Sequence, residues 1–242
     1  MADVNPTDRI FLRDAQCRTF EATVVAVGGD GRVALVATAF YATSGGQPHD
    51  TGTLSFHGGK AKVTDVRGHD VVWHTLDGPV PPVGTPVRGE LDWERRHALM
   101  RTHTALHILC GVIYNTWGVS VTGGNMAPLS ARMDFEFDPL PGGFAAEVTE
   151  LVNAEIAADR PIEISLLPRA EALADEDLIR TKVNLIPESV TEIRVVDIVG
   201  LDKQADGGTH LPSTGEVGRF EVVKTESKGK ANKRLRIAVH DA

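Results

Sequence analysis

The sequence predicts an α+β chain, an all-β N-terminal part followed by a mixed core, and three observations predict it. Residues 20–90 hold short β-like runs divided by Gly and Pro. Beyond Asp92 the apolar spacing changes to three and four residues. The remaining runs mix helix and strand without a regular βαβ alternation.

In the first part, Thr23–Val27 and Val33–Ala37 flank Gly28-Gly29-Asp30-Gly31 and read as a hairpin. Gly52–Phe56, Ala61–Val66, Val71–Thr75 and Val87–Leu91 are further short strands, and Pro79, Pro81, Pro82 and Pro86 punctuate the end of the region. Such a series suits a small barrel or sandwich, with a boundary near residue 90. The two expected domains are therefore 1–90 and 91–242.

Asp92 is placed as an N-cap, with Glu94 in the first turn, for a helix reaching about Trp117. Leu99, Leu106, Cys110 and Ile113 put one apolar face on it. Arg132–Phe137 alternates as a strand. Phe144–Asp159 is a second helix with Val148, Leu151, Val152 and Ile156 inward. Ile162–Leu167 and Glu192–Val199 read as strands around a short polar helix, Arg169–Arg180, and Arg219–Thr225 and Arg234–Val239 close the chain as strands.

At 242 residues and 42% hydrophobic the chain can bury a sizeable core. No apolar run suits a membrane span and no secretory signal is visible, so a cytoplasmic protein without membrane partners is expected. Cys17 and Cys110 read as free thiols of a reducing compartment. A net charge of −8 counts against nucleic acid. Even so, Lys224, Lys228, Lys230, Lys233, Arg234 and Arg236 crowd one segment, with Glu221 and Glu226 beside them. That strip is either a solvated strand edge or a local RNA contact.

His103 and His107 stand four apart, so one helix face can offer both imidazoles to a metal. The following position is Thr104, not the glutamate of the helical zinc-protease motif, which speaks against a peptidase. Asp206-Gly207-Gly208-Thr209-His210 follows a strand, and its glycine pair can aim Asp206 and His210 at one point. Together the two segments supply four donors that zinc accepts; separately, each is an ordinary helix face or strand-end turn. Cys110 shares the His103 face but lies about 10 Å along the axis, too far for one ion.

These motifs, in this order, resemble the editing domain of alanyl-tRNA synthetases and its freestanding, AlaX-like relatives. Phe40-Tyr41-Ala42-Thr43-Ser44-Gly45-Gly46-Gln47 resembles the glycine motif of that family's N-terminal barrel. Thr122-Gly123-Gly124-Asn125, the following Arg132-Met133-Asp134-Phe135, Thr214-Gly215-Glu216-Val217-Gly218 and Ser227–Arg234 match further segments. The resemblance implies a β-barrel followed by an α+β editing core of the threonyl/alanyl-tRNA synthetase second-additional-domain type. It implies one Zn2+ per chain on His103, His107, His210 and Asp206. It also implies a partner, tRNA(Ala) mischarged with serine or glycine, whose aminoacyl ester is hydrolysed without ATP.

The family's usual cysteine falls on Asp206. Three alternatives stand: the carboxylate ligates directly, a water replaces the thiolate, or zinc binding is weakened; direct ligation is the expectation. Thr104, Gly45, Gly46 and Gln204 are candidate substrate contacts, and Lys228, Lys230, Lys233 and Arg234 candidate tRNA contacts. A tRNA-binding module without hydrolysis, and a zinc hydrolase of another small ester or amide, stay open as alternatives.

Overall fold

The computed structural model describes residues 5–174, 178, 191–229 and 232–242. The chain forms two compact units, Met1–His97 and Ala98–Ala242.

The first unit is a closed barrel in the order β2-β3-β7-β6-β5-β8. Its strands are β2 (Thr19–Val27), β3 (Val33–Leu35), β5 (Gly52–Phe56), β6 (Gly59–Arg67), β7 (Trp73–Asp77) and β8 (Pro86–Leu91). A short parallel pair, β1 (Asp8–Arg9) and β4 (Ala37–Thr38), lies outside it. Closure leaves no edge unpaired, and alternate residues fill the interior. Phe20, Val24, Leu35, Phe40, Leu54, Val63 and Val87 form that core. Arg96 is fully buried there. It grips both carboxylate oxygens of Asp50 and donates to the Ala15 carbonyl at 2.9 Å, so the buried charge is paired and hydrogen-bonded.

Helix α1 (Trp93–Trp117) begins at its expected cap, where the Asp92 Oδ1 accepts the Arg95 amide at 3.2 Å. One apolar face was expected, yet residues 102–113 are buried all round. The reason is that the second unit covers the helix from two sides. On one side lies a sheet in the order β14-β15-β10-β9, built from β9 (Val121–Ala127), β10 (Ser130–Glu136), β14 (Arg219–Ser227) and β15 (Asn232–His240). Cys110 meets Met133 of that sheet with the sulfurs 3.8 Å apart, and Thr102 Oγ1 accepts the Leu129 amide. On the other side is a sheet of β11 (Ile162–Pro168), β12 (Glu192–Ile198) and β13 (Asp202–Ala205). From it the Leu201 carbonyl accepts Asn115 Nδ2 at 2.9 Å.

Helix α2 (Phe144–Ala157) packs on β14, where Asn153 exchanges hydrogen bonds with the Phe220 backbone. Helix α3 covers Arg169–Ala174; the rest of the expected 169–180 helix, Leu178 apart, lies outside the described residues. The architecture is α+β with a closed six-stranded barrel. Among the described residues no helix is long and apolar enough to cross a membrane.

Candidate metal centre

His103 and His107 lie on one face of α1, their ring centroids 5.1 Å apart. His210 approaches both, at 4.3 and 4.6 Å. It lies in the segment after β13, where Asp206 Oδ2 accepts the Gly208 amide at 2.6 Å and closes a tight turn. The same oxygen is 3.0 Å from His210 Nε2, and Asp206 Oδ1 is 3.7 Å from His103 Nε2. One ligand atom from each of these four residues lies within 4.8 Å of the others.

Every donor is held in its ligating state. Burial lowers the pKa of all three imidazoles, that of His107 to about 4, so they are neutral at pH 7. Burial alone would raise the Asp206 carboxyl. The hydrogen bond with His210 Nε2, and any positive charge on His103, His210 or His107, act the other way and hold the group well below the carboxylate range.

The residues present fit a zinc ion. Three imidazoles and a carboxylate are donors zinc accepts, and bonds of about 2.0–2.1 Å put tetrahedral ligands about 3.4 Å apart. The 3.0 and 3.7 Å separations bracket that value. His107 Nδ1 and His210 Nδ1 are also buried with no hydrogen-bond partner among the described residues. An unsatisfied buried nitrogen costs about 1–3 kcal/mol; ligation through Nδ1 would relieve it at His107, but not at His210, which meets Asp206 through Nε2.

Sequence reading missed Arg194 of β12. This buried guanidinium donates Nη1 to the Asp206 carbonyl at 2.8 Å and lies 4.0 Å from Asp206 Oδ2. The Asp206 amide in turn donates to the Arg194 carbonyl at 3.1 Å, so the two residues clamp the turn where β12 and β13 part. The available signal was a lone charge in the run Ile193-Arg194-Val195-Val196, since a buried charge demands a partner.

The other candidates occupy varied settings. Thr104 is fully buried, and its Oγ1 accepts the Leu211 amide at 3.1 Å. Gln204 donates Nε2 to Asp202 Oδ2. Gly45 and Gly46 have φ of 55° and 87° and form the tip of a turn closed by Ser44 and Gln47, a conformation that favours glycine. Arg234 donates Nε and Nη2 to the two carboxylate oxygens of Asp134, Lys233 Nζ reaches Ser227 Oγ at 3.3 Å, and Lys228 is exposed. Lys230 lies outside the described residues.

Comparison with known proteins places this geometry in a family. Residues 193–236 match the threonyl and alanyl tRNA synthetase second additional domain, and residues 10–95 match class II (A) tRNA synthetases. The alanine–tRNA ligase of Pyrobaculum neutrophilum is 40% identical over 93% of this chain, which spans 26% of that ligase's length. The alanyl-tRNA editing protein AlaX-M of Methanosarcina acetivorans is 34% identical, covering 97% of this chain and 100% of its own. AlaX-M of Saccharolobus solfataricus is 36% identical, covering 95% and 97% respectively. With barrel, editing core and full-length relatives in agreement, the chain belongs to the AlaX-M family of alanyl-tRNA editing proteins.

Proposed function

We propose that the chain is a trans-editing hydrolase. It removes serine or glycine from mischarged tRNA(Ala) by cleaving the aminoacyl ester, with one zinc per chain on His103, His107, His210 and Asp206. The observation that carries the reading is the convergence of these side chains in a protein whose full-length relatives are named alanyl-tRNA editing proteins.

The need for such an enzyme is physical. A hydrophobic amino-acid pocket cannot strongly reject an analogue that only adds a hydroxyl, whereas a second site built to hydrogen-bond that hydroxyl can. The reaction adds water across the ester carbonyl carbon, breaks its bond to the ribose oxygen and leaves that oxygen protonated. Cleavage needs no ATP. When bound, zinc supplies a positive charge that orients the substrate or polarises an oxygen.

The chain's own residues prepare the site. Two of the neutral imidazoles, His103 and His107, stay in place because α1 is enclosed, and the third, His210, lies in the loop that the Leu211 amide ties to Thr104 Oγ1. The Asp206 side chain is 20% exposed, against 8% for His103 and 1% for His210, so substrate reaches the cluster past Asp206. Thr104 has spent one lone pair on the Leu211 amide, so it reads a substrate hydroxyl through its own O–H or its second lone pair. Gly45, Gly46 and Gln204 remain candidates for the aminoacyl end, and Lys228, Lys230, Lys233 and Arg234 for the tRNA. The reading requires the cytoplasm, where charged tRNA is used.

Incubation of the protein with Ser-tRNA(Ala), without ATP, tests it. Serine release that uncharged tRNA(Ala) suppresses is the expected result. Binding without release would identify a tRNA-binding module. Hydrolysis of small serine esters indifferent to tRNA would identify another hydrolase.

A further inference from the structure

The Arg132-Met133-Asp134-Phe135 stretch is not explained by the metal centre. Met133 and Phe135 face inward from β10 and are buried, so Arg132 and Asp134 share the opposite face of the sheet. Asp134 stands across from Arg234 on β15 and from Gly123 on β9. Arg234 donates Nε and Nη2 to its two oxygens, each at 2.7 Å, and Arg132 adds Nη1 at 3.1 Å. The Arg234 hydrogen bonds hold the Asp134 carboxyl below its ordinary range, and the charges of Arg132 and Lys228 lower it further. Two guanidiniums therefore converge on one carboxylate.

The flank of this cluster is open. On β9 a Cβ at Gly123 would meet nothing nearer than Asp134 Oδ2 at 3.9 Å. Across the sheet, Glu226 is engaged by Lys224 and Arg236 at 2.9 and 3.2 Å, so its charge is compensated locally. Each guanidinium has five N–H donors. Asp134 takes two from Arg234, which fixes that plane, and one from Arg132, which draws the second guanidinium to the same carboxylate. Planar forks with donors to spare suit phosphate oxygens, and for Arg234 much of the ordering cost is met before the ligand arrives.

We propose that Asp134 gathers Arg132 and Arg234 into a seat for a backbone phosphate of RNA. The proposal rests on the tRNA reading above and deepens it: Arg132 lies about a hundred residues from the linear basic strip, and Asp134 becomes the organiser of the contact.

The sign of one substitution separates this from simple charge attraction. Affinity of the full-length protein for uncharged tRNA(Ala) is measured over a series of salt concentrations. Asp134→Asn removes a negative charge, so attraction alone predicts tighter binding; the seat predicts binding weaker by about fivefold, with the guanidiniums no longer held together. Arg132→Gln should weaken binding by a similar factor and lower the salt slope by about one. Arg219→Gln, an exposed cation of β14 outside the cluster, should change neither. Equal or tighter binding by Asp134→Asn, or an Arg132→Gln variant that matches Arg219→Gln, would overturn the proposal. If Asp134→Asn fails to fold, Arg132→Gln still decides, because its side chain contributes one hydrogen bond to the cluster. Loss of tRNA affinity in these variants, in a protein that releases no serine, would overturn the editing reading and leave the seat standing. A parent protein without affinity for tRNA would overturn both.

Discussion

Thr104 Oγ1 accepts the Leu211 amide at 3.1 Å, which ties the helix residue beside His103 to the loop residue beside His210. The two halves of the histidine cluster are thus joined by a hydrogen bond as well as by packing. Thr104→Ala should leave the Leu211 N–H buried and unsatisfied, lowering stability by about 1–3 kcal/mol. Zinc affinity should fall with it, while Thr104→Ser keeps the bond and most of both. Urea denaturation and chelator competition read the two effects.

Asp206 offers a test of the donor set. As a ligand, its replacement in Asp206→Ala should loosen zinc, and Asp206→Cys should restore tight binding through a thiolate, which zinc accepts at least as well. Chelator competition on the parent and both variants measures this. Equal affinity in all three would leave a three-histidine site.

His74 gives the barrel a pH dependence of its own. It is fully buried, with Nε2 2.9 Å from Thr38 Oγ1 and Nδ1 3.2 Å from the Val33 carbonyl, and burial lowers its pKa to about 4. Between that value and an unfolded value of about 6.5 the unfolded chain binds the extra proton, so stability rises with pH. The contribution is fully present above about pH 6.5 and is lost as pH falls towards 4, a change of order 3 kcal/mol. In urea titrations of the barrel signal between pH 7 and 4.5, His74→Gln should show a shallower decline than the parent.

Gly218 explains the end of the Thr214–Gly218 run. Its φ is 88°, and a Cβ there would lie 2.3 Å from the His240 carbonyl and 2.5 Å from Arg101 Nη2. Gly218→Ala should therefore cost about 2 kcal/mol or more through strain and displacement of the Arg101 contacts, seen as a lower Tm.

Much of the fold could be read from local patterns. The strand alternation in residues 20–90, the Asp92 cap and the apolar faces of α2 are short-range signals, and the barrel strands and both long helices follow them. β9 was not legible, because Gly123 and Gly124 depress strand propensity and only pairing with β10 makes the strand. β13 is four residues long and polar, and its partner β12 defines it. The gathering of His103, His107, Asp206 and His210 was legible from a four-residue spacing and a glycine turn. What surrounds them was not. Arg194 acts through a turn twelve residues on, and Arg234 meets an aspartate a hundred residues away. Such pairings depend on sheet register, which neither composition nor periodicity reveals.

On the proposed function, deacylation depends on a metal held by the histidine cluster. The most direct measurement of that dependence is zinc content, with serine release from Ser-tRNA(Ala), for the parent and a His103→Ala, His107→Ala double variant. About one zinc per chain and ready release are expected in the parent, and loss of both in the double variant. Full zinc occupancy or undiminished serine release in the double variant would contradict it.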